Sequence, residues 1–114
     1  MYHQANLKII RMKNALNALF TDIKTRDFPV DVIILFGSVA RGQVNEYSDL
    51  DICIVHEQAL TERQQRDIER YFNDMMQDEI DVDFTYCNSE TLHNGPHVFA
   101  QIRKGGRILY ERLS

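Results

Sequence analysis

Three short apolar runs, VDVIILF (30–36), DLDICIV (49–55) and IDVDFTYC (80–87), constrain the fold most. Each is strand-length, apolar and rich in β-branched or aromatic residues, so each reads as a β-strand. Around them the periodicity changes. Residues 5 to 24 place Leu7, Ile9, Met12, Leu16, Leu19, Phe20 and Ile23 at spacings of three and four, the stripe of an amphipathic helix. Asp27, Phe28 and Pro29 then break the pattern. A second helix is marked by Thr61 and Gln64, which fit a capping box, and by an apolar face of Ile68, Tyr71, Phe72, Met75 and Met76. Those methionines and aromatics read as core. Pro96 and Gly105 bracket a last short helix, and RILYE (107–111) adds a short strand. Helices alternating with strands predict one α/β or α+β domain over residues 1–114, a small sheet flanked by helices.

Composition narrows the class. A chain of 114 residues, 44% hydrophobic and 26% charged, is long enough for one real core and ordinary for a globular domain. No apolar run approaches the roughly 20 residues needed to cross a bilayer, so no membrane association is expected. The N-terminal stretch carries charges inside its apolar pattern and lacks a cleavage signature, so a secretory leader is not expected either. Cys53 and Cys87 sit in strand-like runs as small buried apolar residues rather than a disulfide framework, and a reducing cytoplasm is the expected setting. Thirteen basic against seventeen acidic residues give a net charge of −4, which argues against broad contact with a nucleic-acid backbone. Arg103, Lys104, Arg107 and Arg112 crowd the C-terminal end, either as solvated surface or as a contact for a ligand or partner.

The chemistry concentrates in ILFGSVARGQVNEYSDLDICIV, where two aspartates enter an otherwise apolar strand. Side chains two apart on a strand point the same way, so Asp49 and Asp51 project together. Two unneutralised carboxylates at that range repel, and one tends to hold a proton. A divalent cation removes the conflict. Magnesium takes oxygen ligands, commonly one or two carboxylates completed by water and substrate phosphates. Upstream, Gly37 allows close backbone approach and Ser38 adds a hydroxyl at the expected start of a short helix, where an anion is favoured. A third carboxylate from the next strand, Asp83 or Asp81, completes a two-ion site of the kind that steadies both attacking and leaving oxygens.

Taken in order, Gly-Ser, Ala-Arg-Gly, a polar loop and Ser-Asp-x-Asp between two apolar strands resemble the signature of the nucleotidyltransferase superfamily related to DNA polymerase beta. The chain is most similar to the minimal nucleotidyltransferases, and the likeness covers roughly residues 30 to 111. The resemblance implies a mixed sheet with helices packed on it, and transfer of a nucleoside monophosphate from a triphosphate with pyrophosphate leaving. It implies that Gly37 and Ser38 hold the triphosphate, that Asp49 and Asp51 ligate magnesium, and that the third strand supplies the last ligand, with Asp83 favoured over Asp81. It further implies a partner. Minimal nucleotidyltransferases are often paired with HEPN-domain toxins, whose tyrosine they adenylylate with ATP as antitoxins. A homo- or hetero-oligomer is compatible with this.

Other residues have two readings each. Arg41 either contacts phosphate or acceptor, or braces the loop against an acidic neighbour. Ser48 bonds its own turn and orients Asp49. Tyr47 is a surface aromatic or a stacking platform, and Val44 departs from the alanine common in relatives. His93 and His97 are four apart, but Gly95 and Pro96 between them disfavour a zinc pair. His56 reads as structural. Three other functions compete: an antibiotic nucleotidyltransferase, a non-catalytic antitoxin that inhibits by contact, and a metal-dependent nuclease. The Gly-Ser turn suits a triphosphate better than a polynucleotide.

Overall fold

The computed structural model describes residues 4–42, 49–76 and 81–112. The chain starts with helix α1, Gln4–Thr25, which buries Ala15, Leu16, Leu19 and Ile23 along one stripe. The expected break is a built helix stop. Asp27 adopts φ 54, and Phe28 N–H reaches back to Ile23 C=O at 3.2 Å while both side chains are buried. This is a Schellman closure with aspartate in the place glycine usually takes.

Strand β1, Val32–Phe36, then runs through the centre of the sheet into a one-turn helix α2, Gly37–Ala40. Strand β2, Leu50–Val55, returns antiparallel to β1. Helix α3, Glu62–Met76, carries the chain back over one face, so that β3, Val82–Cys87, pairs parallel to β2. The capping box at its start is present in both directions. Gln64 N–H donates to Thr61 Oγ1 at 3.1 Å, and Thr61 N–H donates to Gln64 Oε1 at 2.9 Å. Two short helices follow, α4 (Ser89–Asn94) and α5 (His97–Gly105), before β4 (Arg107–Glu111) pairs antiparallel to the free side of β1. The sheet is therefore mixed, in the order β3-β2-β1-β4.

Strand alternation divides the core in two. Ile33, Leu35, Leu50, Ile52 and Ile54 face α1 and α3, meeting Leu19, Ile23, Ile68 and Phe72. Ile34, Cys53, Val55 and Cys87 face the other way, under Leu92 of α4 and Ile102 of α5. Each fully buried Ile, Leu or Phe contributes about 1.5–3 kcal/mol of transfer free energy, so both layers are needed to hold so small a sheet.

The sequence expectations for the four strands and for α1, α3 and α5 agree with this architecture. Two details differ. Gly105 is the last residue of α5 rather than lying past it, and Gly106 is the C-cap. Helix α4 is an addition, capped by Asn88, whose side chain accepts from Thr91 N–H at 2.8 Å. His93 and His97 consequently lie on separate helices, which removes the helical spacing a zinc pair needs. Cys53 and Cys87 are free and buried, with sulfurs 3.7 Å apart, and burial pushes the Cys53 thiol up, away from the thiolate form. Among the described residues, no helix is long and apolar enough to cross a membrane.

Candidate active site

The polar end of the sheet is built by register. In the β1–β2 ladder Phe36 pairs with Asp51, and in the β2–β3 ladder Asp51 pairs with Asp83. Directly paired residues share a face, so Asp51 and Asp83 stand side by side on the face that also holds Cys53 and Cys87. Asp49 is the exposed residue immediately before β2. Asp81, likewise exposed and just ahead of β3, uses its backbone carbonyl to accept from Leu50 N–H at 3.1 Å, extending the ladder by one bond. The register thus places Asp83, rather than Asp81, opposite Asp51.

The turn before α2 closes over the same point. Gly37 has φ +79, a left-handed conformation that side chains disfavour, and its Cα lies against the Asp51 carboxylate. Arg41 N–H donates to Gly37 C=O at 3.2 Å. The Arg41 side chain is exposed, yet its charge still acts on Asp51. Ser38 lies in α2, with its side chain outside the described part of the structure. Val44, Tyr47 and Ser48 lie outside the described residues.

The electrostatics follow from this crowding. Burial raises the Asp51 pKa above the ordinary carboxylate value; the charge of Asp83 and then that of Asp49 raise it further, and Arg41 opposes them. The carboxylates do not form a finished cage: among the described residues, no three His, Cys, Asp or Glu side chains are grouped to hold a metal ion. Among the described residues, the carboxylate donors at this end are oxygens from Asp51 and Asp83, paired across two strands, and from Asp49 at the rim. Such a set fits a hard divalent cation, which binds through one or two carboxylates and takes its remaining ligands from water and phosphate. Elsewhere, His56 is committed to structure, with Nδ1 2.9 Å from Gln58 C=O and its ring edge-on to Tyr86.

A stability test isolates the repulsion. Because its pKa is raised, native Asp51 holds a proton more tightly than it does in the unfolded chain. Cation-free stability is therefore lost as pH rises from the ordinary aspartate range through the raised value. Asp51→Asn cannot ionise and escapes that loss. Calorimetry in chelator should show the variant melting higher at neutral pH, by on the order of a few °C. The gap should close below about pH 4, where the wild-type carboxyl is protonated.

With this geometry in place, comparison with known proteins is specific. Residues 20–114 match the family model described as polymerase beta, nucleotidyltransferase. Among solved structures, a chain of a toxin–antitoxin complex crystallised with AMP-PNP superimposes with a TM-score of 0.60 at 20% identity, over 85% of this chain and 73% of that one. A chain from the complex of tri-AMPylated Shewanella oneidensis HEPN toxin with MNT antitoxin gives 0.54 at 18% identity, over 90% and 73%. A Sulfolobus solfataricus chain assigned as a nucleotidyltransferase gives 0.56 at 20% identity, over 98% and 91%. No curated protein matches the chain. At these identities the structural neighbours share the fold.

Proposed function

Since the chain belongs to the polymerase beta nucleotidyltransferase family, we propose that it transfers AMP from ATP to a hydroxyl of a protein acceptor, a tyrosine of a HEPN-domain toxin, and so acts as its antitoxin. The observation that carries the reading is the pairing of Asp51 with Asp83 beside the Gly37 turn. It supplies carboxylates from two strands next to the turn to which this reading assigns the triphosphate tail. The solved relatives favour this acceptor class, one containing AMP-PNP and another an AMPylated HEPN toxin with its MNT antitoxin.

In this reading Asp49, Asp51 and Asp83 hold magnesium, and Gly37, Ser38, Arg41 and Ser48 position the nucleotide. The cation, when bound, supplies the positive charge that offsets the phosphate oxygens and the acceptor oxygen. The chain's own part is placement. Pairing across β2 and β3 fixes two carboxylates relative to each other, and the β1–α2 turn sets the triphosphate against them. Arg41 adds the nearby positive charge that both Asp51 and an anionic tail favour. The acceptor hydroxyl gives up its proton to solvent, its oxygen bonds to the α-phosphorus, the bond from that phosphorus to the bridging oxygen breaks, and pyrophosphate departs. The two buried free thiols suit a reducing, cytoplasmic setting.

The test uses purified protein, magnesium and ATP labelled on the α-phosphate, with the product of the neighbouring gene offered as acceptor. Label should appear on a tyrosine of that protein and require the cation. Asp49→Ala/Asp51→Ala should abolish both labelling and toxin neutralisation. Neutralisation that survives this double substitution would instead establish inhibition by contact. Absence of any label with the wild-type chain would overturn the transferase reading.

A further inference from the structure

We propose that Gly37 is a positioning residue for Asp51: the side chain it lacks leaves the space in which that carboxylate is seated. The inference rests on the reading of Asp51 as a cation ligand, and it goes beyond the role of close phosphate approach expected for this glycine. A Cβ placed on Gly37 collides with Asp51 Oδ2 and comes to 3.0 Å from Asp51 Cγ and 3.3 Å from Asp51 Cβ. Real Cβ atoms do not approach other atoms so closely, and the contact involves the whole short side chain rather than the tip of a flexible one. Asp51 has few rotamers in which to retreat. It is also held on the strand by pairing with Phe36 on one side and Asp83 on the other. Any methyl at position 37 therefore rotates the Asp51 carboxylate away from where it stands beside Asp83. A cation bound through both groups loses one of its two fixed oxygens' alignment, the kind of loss that follows when the support of a metal ligand is removed.

The chain contains its own control. Gly42 has the same φ of +79, but a Cβ built there has, among the described residues, nothing within 4 Å. Gly37→Ala and Gly42→Ala thus share the backbone strain of a left-handed alanine and differ in the collision with Asp51.

Two measurements on the full chain decide the matter. In the first, Mn²⁺ binding without nucleotide is followed by the loss of the free-ion EPR signal. Gly37→Ala should bind about ten-fold or more weakly, while Gly42→Ala binds as the wild type does; equal binding by the two variants would overturn the proposal. A wild-type chain that takes up no Mn²⁺ would sink the cation reading of the carboxylates, and the second measurement would still judge Gly37. That measurement is a double-mutant cycle in unfolding with Asp51→Ala. Removing the carboxylate should shrink the Gly37→Ala penalty most of the way to that of Gly42→Ala, the 3.3 Å approach to the Cβ of residue 51 being all that remains of the collision. If Gly37→Ala alone fails to fold, the double variant should fold. Additive penalties, or a double variant that remains unfolded while Gly42→Ala folds, would overturn the proposal.

Discussion

Asp83→Ala is expected to lower nucleotidyl transfer by about 10²–10³-fold, the usual loss when one fixed group that stabilises transition-state charge is removed. Asp81→Ala should leave the rate close to wild type. The two residues are two apart at the start of β3, both exposed and both acidic, so composition and spacing treat them alike. Register separates them. Asp83 stands opposite Asp51, and its charge is the first of the neighbouring charges to raise the Asp51 pKa. The part of Asp81 that the structure uses is its backbone carbonyl, which accepts from Leu50 N–H and survives a side-chain change. Exposed substitutions away from caps and networks usually alter stability by about 0.5 kcal/mol or less, so neither variant should lose activity through unfolding. Steady-state kcat/KM with saturating magnesium makes the comparison. Equal losses in the two variants, or a larger loss for Asp81→Ala, would move the third carboxylate off Asp83.

That pair also shows where sequence reasoning stops. The four strands and the helices α1, α3 and α5 were legible because their signals are local: apolar periodicity, a capping box, a proline before a helix and glycines at its end. Helix α4 left a weaker trace. Its six residues SETLHN bury only Leu92, so no periodicity could form, and its local marks were Asn88 as the N-cap and Gly95 as the C-cap. The choice between Asp81 and Asp83 was not local at all. The alternation of the sequence gives both the same side, and only the pairing of β3 with β2, set by how α3 carries the chain across the sheet, puts one of them opposite Asp51. Gly37 makes the same point. As a sequence it marks a turn able to approach a ligand. Its contact with Asp51, fourteen positions later, exists because β1 and β2 pair antiparallel with Phe36 opposite that aspartate. What the residues specify locally is the presence of acids and a turn; what tertiary pairing adds is which oxygens meet.

Phe72→Ala should be the most damaging single change to the fold, costing about 3–5 kcal/mol. Phe72 is fully buried on α3 and meets the ring of Phe84 edge-on at 5.4 Å. Phe84 in turn stacks on Tyr86 at 6.4 Å, so truncation leaves a cavity against an aromatic row on β3. A domain of this size has a stability on the order of 5–15 kcal/mol, and the variant would therefore lose a large part of its margin. The consequence reaches the site because α3 connects β2 to β3, and its packing on their shared face holds the register in which Asp51 meets Asp83. Urea unfolding with and without Mn²⁺ tests both links. The midpoint should fall sharply, and Mn²⁺ should recover part of the loss, since a ligand of the native state shifts the equilibrium towards it. Ile10→Ala, at a side chain 54% exposed on α1, supplies the contrast and should barely move the midpoint. A Phe72→Ala chain that loses less than about 1 kcal/mol would mean that the sheet keeps its strand pairing without α3, and that the alignment of the carboxylates has another source.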